Sequence, residues 1–240
     1  MEFFCKTDVG IKRDNNQDFF LTENLDENAV LIVVCDGMGG AAGGQIASSL
    51  AAEVFTSYVK SEYKSGKMLC RVLEEALEKA NEAVCKKAKE NISLSGMGTT
   101  VVAAICTDEC YTCIWVGDSR IYAINGDGLC LLSHDHSYVQ TLIDNGSITE
   151  EEAKNHPNRN IITRAVGTDM QVPGDVIEVK NGEMLGLLLC TDGLCGYVDE
   201  KDIADICKKY NSPQEAVCAL VDKANSCGGT DNVTVAIHKK

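Results

Sequence analysis

Proline is scarce: three residues in 240, with no Pro/Ser-rich or low-complexity stretch and no internal repeat. That leaves little room for a hinge and favours one large domain over residues 1–240 rather than two small ones. The N-terminus, MEFFCKTDVGIKRD, has no basic segment followed by an apolar stretch, and no run approaches the ~18–20 apolar residues of a membrane span. Basic residues are also short, 22 against 36 acidic, for a net charge of −14 and a pI near 4.7. Such a balance repels nucleic acid and anionic membrane surfaces, and no basic stripe with interleaved aromatics opposes it. Neither is expected as a partner. The expectation is a monomer in the cytoplasm.

Thirteen cysteines are present, an odd number scattered through apolar segments such as those holding Cys35, Cys106, Cys190 and Cys218. Reduced thiols fit this pattern better than a disulfide framework. The pair in 110-CYTC-113 has redox or half-zinc spacing, but there is no second such pair and the surroundings read as a strand. Core packing is the better reading.

Strand-like runs recur at 18–22, 29–35, 99–106, 111–117, 120–125, 184–190 and 233–238, several joined by turn-like pieces such as 125-NGDG-128. Between them, 68–91 carries Leu69, Val72, Leu73, Ala76, Leu77, Ala80 and Val84 at the spacing of one buried helical face, and 45–59 does likewise. Ser212, Pro213 and Glu215 predict a capping box opening a helix over 213–226, and Thr149 with Glu152 predicts a second box. The region from about 134 to 173 is polar and less regular, and reads as an inserted helical flap. Hairpin-built sheet with separate long helices indicates an α+β fold with helices covering sheet faces.

The apolar run 31-LIVVC-35 stops on Asp36, followed by three glycines in four residues, and 185-LGLLLC-190 likewise leads into Thr191, Asp192 and Gly193. Carboxylates also begin or end strands at Asp18, Asp118 and Asp231. Any one Asp-Gly is more often a turn than a ligand. Several carboxylates sharing one cleft would repel one another unless cations compensated them, and oxygen-only donors favour Mg²⁺ or Mn²⁺ over zinc.

The segments 8-DVGIKRDNNQD-18, 35-CDGMGG-40, 96-GMGTT-100, 117-GDSR-120, 191-TDG-193 and 229-GTDN-232, in this order, resemble the metal-dependent (PPM, or type 2C) protein Ser/Thr phosphatases of the bacterial stand-alone type, from about residue 5 to 238. The resemblance implies a four-layer α-β-β-α sandwich of two antiparallel sheets flanked by helices, with a two-metal site at one end. It implies that Asp36 bridges two Mn²⁺ or Mg²⁺ ions and that the Gly37 carbonyl binds one. Asp192 and Asp231 would complete the protein ligands, and Asp18 would hold a metal-bound water. Asp118, with Asp192, matches the residues that bind a third metal in bacterial relatives, and Arg13 matches the phosphate-binding arginine. Gln17 stands where many members have Glu, and Met38 where many eukaryotic members have His, so no general acid is assigned. His134 and His136 read as a hairpin end leading into the flap. Residues 137–167 resemble the flap beside the active site of bacterial members, where Arg159 and Arg164 either meet acidic substrates or are solvated.

The resemblance further implies hydrolysis of phosphoserine and phosphothreonine in proteins by a metal-bridged water, opposing a cognate Ser/Thr kinase, with Arg13 and the metals neutralising charge on the equatorial oxygens. Two alternatives stand beside it. A regulatory binding module on the same scaffold, without turnover, should have lost metal-site aspartates, and here every principal one is present. A generic Mg²⁺-dependent hydrolase of nucleotides or nucleic acid is disfavoured by the net acidity.

Overall fold

A computed structural model describes residues 2–182 and 184–240. Two antiparallel sheets lie face to face. The first is ordered β1 (Glu2–Asp8), β11 (Val233–Lys239), β10 (Gly186–Cys190), β7 (Arg120–Asn125), β8 (Gly128–Leu131). The second is ordered β2 (Asp18–Asp26), β3 (Ala29–Met38), β5 (Val101–Thr107), β6 (Cys110–Val116), β9 (Asp175–Lys180), with the two-residue β4 (Gly98–Thr99) on the end of β3. Helices α1 (Gly40–Glu62) and α2 (Leu69–Glu90) cover the second sheet. On the first lie the short α5 (Asp192–Cys195), α6 (Glu200–Lys209) and α7 (Pro213–Ser226). The order of layers is α-β-β-α, as expected.

Burial on both faces explains the unbroken apolar strands. In β3, Leu31, Val33 and Cys35 pack against α1 and α2, while Val30, Ile32 and Val34 meet Ile121, Leu187, Leu189 and Ala236 of the opposite sheet. Period-2 alternation thus feeds two cores rather than one core and solvent. Each such side chain contributes about 1.5–3 kcal/mol of burial. On α2 the buried face is Val72, Leu73, Ala76, Leu77, Ala80 and Val84, the stripe that the sequence predicts. Cys110 and Cys113 lie in β6, Cys113 fully in the core, and all thirteen thiols are free.

Two expectations need correction. Helix α1 starts at Gly40, five residues before the predicted 45, through a glycine-rich stretch of poor helix propensity. Tertiary contact overrides propensity there, because α1 crosses the end of β3 backbone to backbone. A Cβ on Gly37 would lie 2.1 Å from the Gly44 carbonyl oxygen, and one on Gly44 2.6 Å from that of Gly37. The second correction is at α7. Ser212 is its N-cap and Pro213 its first residue, but the Ser212 side chain caps nothing, so the expected box is absent. Burial of Val217, Leu220, Val221 and Ala224 holds the helix instead. The Thr149–Glu152 box does form, opening α4 (Glu150–Lys154).

Strands β1, β8 and β9 and helix α6 went unread in the sequence. Each strand is at a sheet edge, where alternation is diluted by exposed residues. The region 134–173 holds α3 (Tyr138–Asp144) and α4, tied back by a Ser137–Ile162 bridge. Among the described residues no helix is long and apolar enough to cross a membrane.

Candidate metal-binding cleft

Antiparallel topology gathers the acidic residues. Asp36 lies near the end of β3, Asp18 starts β2 and pairs with it across the ladder, and Asp118 occupies the β6–β7 turn. Asp192 follows β10 and Asp231 precedes β11, strands that run antiparallel. All five therefore reach one end of the sandwich. Asp36, Asp118, Asp192 and Asp231 line a cleft of about 550 Å³ together with Arg13, Gly37 and Gln17. Asp18 sits behind them, 5 % exposed.

Crowding perturbs Asp18, Asp36, Asp118 and Asp192 in one direction. Burial, then the neighbouring carboxylates, pushes Asp118 up to about 7 and Asp192 to about 6. Burial pushes Asp18 up to about 7 against the pull of two threonine hydroxyls, and holds Asp36 well above its ordinary value, with Asp18 and Asp192 adding to the effect. Like charges directly opposite on a ladder, as Asp18 and Asp36 are, destabilise a sheet. Such an arrangement is costly unless positive charge enters the cleft.

Two buried carboxylate oxygens, Asp18 Oδ1 and Asp192 Oδ1, have no hydrogen-bond partner. The lining offers oxygen donors but neither imidazole nor thiolate. Among the described residues no three His, Cys, Asp or Glu side chains close on one point as a ready-made cage. Hard divalent cations suit this set, since Mg²⁺ keeps several waters and takes only one or two carboxylates.

Arg13 donates into the ring, with Nη2 2.9 Å from Asp231 Oδ2 and Nε donating to the Thr230 carbonyl at 3.3 Å, and Lys12 lines the same cleft. Its guanidinium is half-exposed at the cleft mouth. Gln17 donates through Nε2 to the Gly40 carbonyl, which bridges the β2 entry to the start of α1.

Neither His134 nor His136 lines the cleft. His136 is buried and acts as a strut: its Nδ1 accepts from Gly117 N at 3.1 Å and its backbone N–H donates to Gly117 O at 2.9 Å. Arg164 donates to Asp175 Oδ1 at 3.0 Å and Pro173 O at 3.2 Å, and Arg159 to the Lys154 carbonyl at 2.9 Å. Both arginines are thus engaged within their own region, which puts Asn160 and Ile162 on the cleft wall.

Sequence reasoning missed the groups that hold the acids. Thr191 and Thr234 donate to Asp18 Oδ2 at 2.8 and 2.7 Å, Thr100 Oγ1 accepts from Asp36 N at 2.9 Å, and Thr99 Oγ1 donates to Asp36 O at 2.8 Å. All four stand in or beside the segments 96-GMGTT-100, 191-TDG-193 and 229-GTDN-232. Of these, only Thr191 adjoins an acid in the sequence, Asp192, so chain order carried little signal for them.

Sandwich and cleft together define a class also found by comparison. The protein phosphatase 2C family model matches residues 11–223. The serine/threonine phosphatase stp of Listeria welshimeri is 36 % identical over 237 residues, 98 % of this chain and 94 % of that protein. The crystal structure of the serine/threonine phosphatase Stp1 from Staphylococcus aureus superposes with a TM-score of 0.91 at 33 % identity, covering 100 % of this chain and 94 % of the other. The catalytic domain of the phosphatase PstP, solved in complex with two manganese ions, gives 0.85 at 30 % identity, covering 98 % and 96 %. The chain belongs to the protein phosphatase 2C family.

Proposed function

We propose that this chain is a protein-serine/threonine phosphatase that hydrolyses phosphoserine and phosphothreonine monoesters on proteins, opposing a Ser/Thr kinase, with residues 1–240 acting as one catalytic unit. The observation that carries the reading is the ring of carboxylates around one cleft, with proton affinity raised at Asp36 and Asp192 and with Arg13 at its mouth. Asp36, Asp192, Asp231 and the Gly37 carbonyl would hold two Mn²⁺ or Mg²⁺ ions, Asp18 would act from behind them, and Asp118 with Asp192 would hold a third. The two-manganese structure of PstP supports a divalent pair. Bound there, such ions supply Lewis acidity and lower the pKa of water, so hydrolysis needs no covalent phosphoenzyme.

The chain's own groups do the remaining work. Arg13 presents a planar fork that can pair two phosphate oxygens and offset their charge as it grows. Its present partner, Asp231, would exchange it for substrate once cations neutralise the ring. Thr191 and Thr234 fix Asp18 through one oxygen and leave the other free. The region 134–173, through Asn160 and Ile162, forms the wall against which a phosphoprotein segment would lie. With every principal aspartate present, turnover is favoured over a regulatory binding role, in which the acid ring would have no use.

Asp36→Asn tests the reading. Mn²⁺-dependent hydrolysis of phosphopeptides should be lost while circular dichroism stays native. Full activity in that variant, or wild-type preference for nucleotides over phosphopeptides, would refute it.

A further inference from the structure

Asn232 is 5 % exposed and uses its whole side-chain amide on one neighbouring loop. Nδ2 donates to the Val9 carbonyl at 2.9 Å and to the Asn15 carbonyl at 3.0 Å, and Oδ1 accepts from the Gln17 amide at 2.8 Å. Those partners bracket residues 9–17, the loop that carries Arg13. Two carbonyls on one side and an N–H on the other fix which way the amide points, and no other side chain of this size offers two donors and an acceptor so arranged.

The loop is fastened along its length to the segment that carries Asp231. Ile11 and Lys12 both donate their backbone N–H to the Gly229 carbonyl, at 2.7 and 3.0 Å. At Gly10, φ is +80° and a Cβ would lie 2.2 Å from the Asp231 carbonyl oxygen, so two backbones touch there. Asn232 itself donates its backbone N–H to Asp231 Oδ1 at 2.8 Å. Arg13 is half-exposed, and among the described residues its side chain has one carboxylate and one carbonyl to hold it. Its aim must come from the main chain beneath it.

We infer that Asn232 is a positioning residue for phosphate capture: it clamps both ends of the 9–17 loop and so presets Arg13 before substrate arrives. The inference rests on the phosphatase reading and on the phosphate-binding role proposed there for Arg13. Preorganising a binding group raises affinity by cutting the ordering cost of association, so the clamp should act on ground-state and transition-state phosphate alike.

The test is a double-mutant cycle of Asn232→Ala and Arg13→Ala, assayed with a chromogenic phosphate monoester at saturating Mn²⁺, with inorganic phosphate as competitor. N232A should raise KM and the phosphate inhibition constant together, lowering kcat/KM by roughly 10- to 100-fold, with the Mn²⁺ midpoint moved less than about twofold. In the R13A background N232A should add less than about twofold, since residues acting as one unit are not additive. In the metal-free protein, hydrogen exchange at Ile11, Lys12 and Gln17 should speed up in N232A and remain slow in R13A.

Additive losses in the cycle, or a Mn²⁺ midpoint that shifts while phosphate inhibition does not, would overturn the inference and put Asn232's effect on Asp231 instead. Should N232A not fold, Asn232→Asp carries the same cycle, because it keeps the shape and the acceptor while setting an oxygen against two carbonyls. Failure of both to fold also overturns it, by making Asn232 a requirement of the fold. A wild type without Mn²⁺-dependent hydrolysis is a separate outcome: it removes the phosphatase reading and Arg13's task with it.

Discussion

Replacing Asp18 with asparagine should stabilise the metal-free protein and lessen the stabilisation that metal adds. Asp18 Oδ2 takes both threonine hydroxyls, while Oδ1 is buried without a partner and the carboxylates of Asp192 and Asp231 act on the same group. Asparagine keeps an oxygen for Thr191 and Thr234 and removes the charge. Burial has raised Asp18 from its ordinary 3.8 to about 7. Below pH ~4 the group is protonated whether the chain is folded or not, so wild type and D18N should differ little. From pH 4 to 7 the unfolded chain ionises Asp18 while the folded chain keeps the proton, and the advantage of D18N grows by about 1.4 kcal/mol per pH unit. Above pH 7 it levels off at about 4 kcal/mol, or roughly 10 °C in Tm for a domain of this size. That figure is an upper bound, since the amide must find its own partner. Urea unfolding from pH 4.5 to 8.5 in EDTA measures the gap. Adding Mn²⁺ should narrow the gap, because ligand binding stabilises by RT ln(1 + [L]/Kd), about 2.7 kcal/mol at a hundredfold excess over Kd, and D18N should need more Mn²⁺ to reach it. A metal-free D18N that is less stable than wild type at pH 8, with a gap that ignores pH, would refute the account.

The core makes its own pH prediction. His238 is fully buried between the sheets, its Nδ1 3.1 Å from the Tyr111 hydroxyl and its Nε2 unpartnered, and burial lowers it to about 4. As pH falls from ~6.5 to ~4 the unfolded chain takes up the proton and the folded chain does not, so wild type should lose about 3 kcal/mol that His238→Gln does not lose; equal slopes in urea titrations would contradict this. Arg120 makes a bidentate pair with Asp135, at 2.9 Å from Nε and 2.8 Å from Nη2, with Asp135 only 11 % exposed. Asp135→Ala should cost up to about 3 kcal/mol by removing the bidentate partner and leaving the guanidinium only the longer 3.7 Å pair with Glu200 and the Tyr122 hydroxyl, and replacing both Arg120 and Asp135 by apolar residues should recover most of that in the same unfolding assay.

Much of the fold was legible because both faces of the central strands are apolar, so β3, β5, β6, β10 and β11 announce themselves as runs whatever their neighbours. The edge strands β1, β8 and β9 did not. Glu2–Asp8 reads EFFCKTD and Asp175–Lys180 reads DVIEVK, each half solvent-facing, and pairing rather than hydrophobicity makes them strands. The acids of the cleft could be named from their positions at strand ends. Their convergence could not, since it depends on strand order, and β10 lies between β11 and β7 although Gly186 and its β7 partner Ile124 are 62 positions apart in the chain. Still less could the sequence reveal that Asn232 clamps residues 9–17, more than two hundred positions away.

The glycine after Asp36 and the one after Asp192 are packing residues as much as ligand-facing ones. The family resemblance implies a metal-binding carbonyl at Gly37, and a residue without a side chain leaves its backbone open to close approach. In the fold, Gly37 is also where α1 touches β3, and a Cβ on Gly193 would lie 1.8 Å from the Asn232 carbonyl oxygen. The first contact seats α1 against Asp36; the second seats the Asp192 turn against the strand entry that holds Asp231. An aspartate at the end of a strand can be drawn beside another only if something removes the bulk between their backbones. Asp-Gly therefore recurs here for a steric reason that applies before any cation binds: each glycine brings in the neighbour that completes the ring of charge.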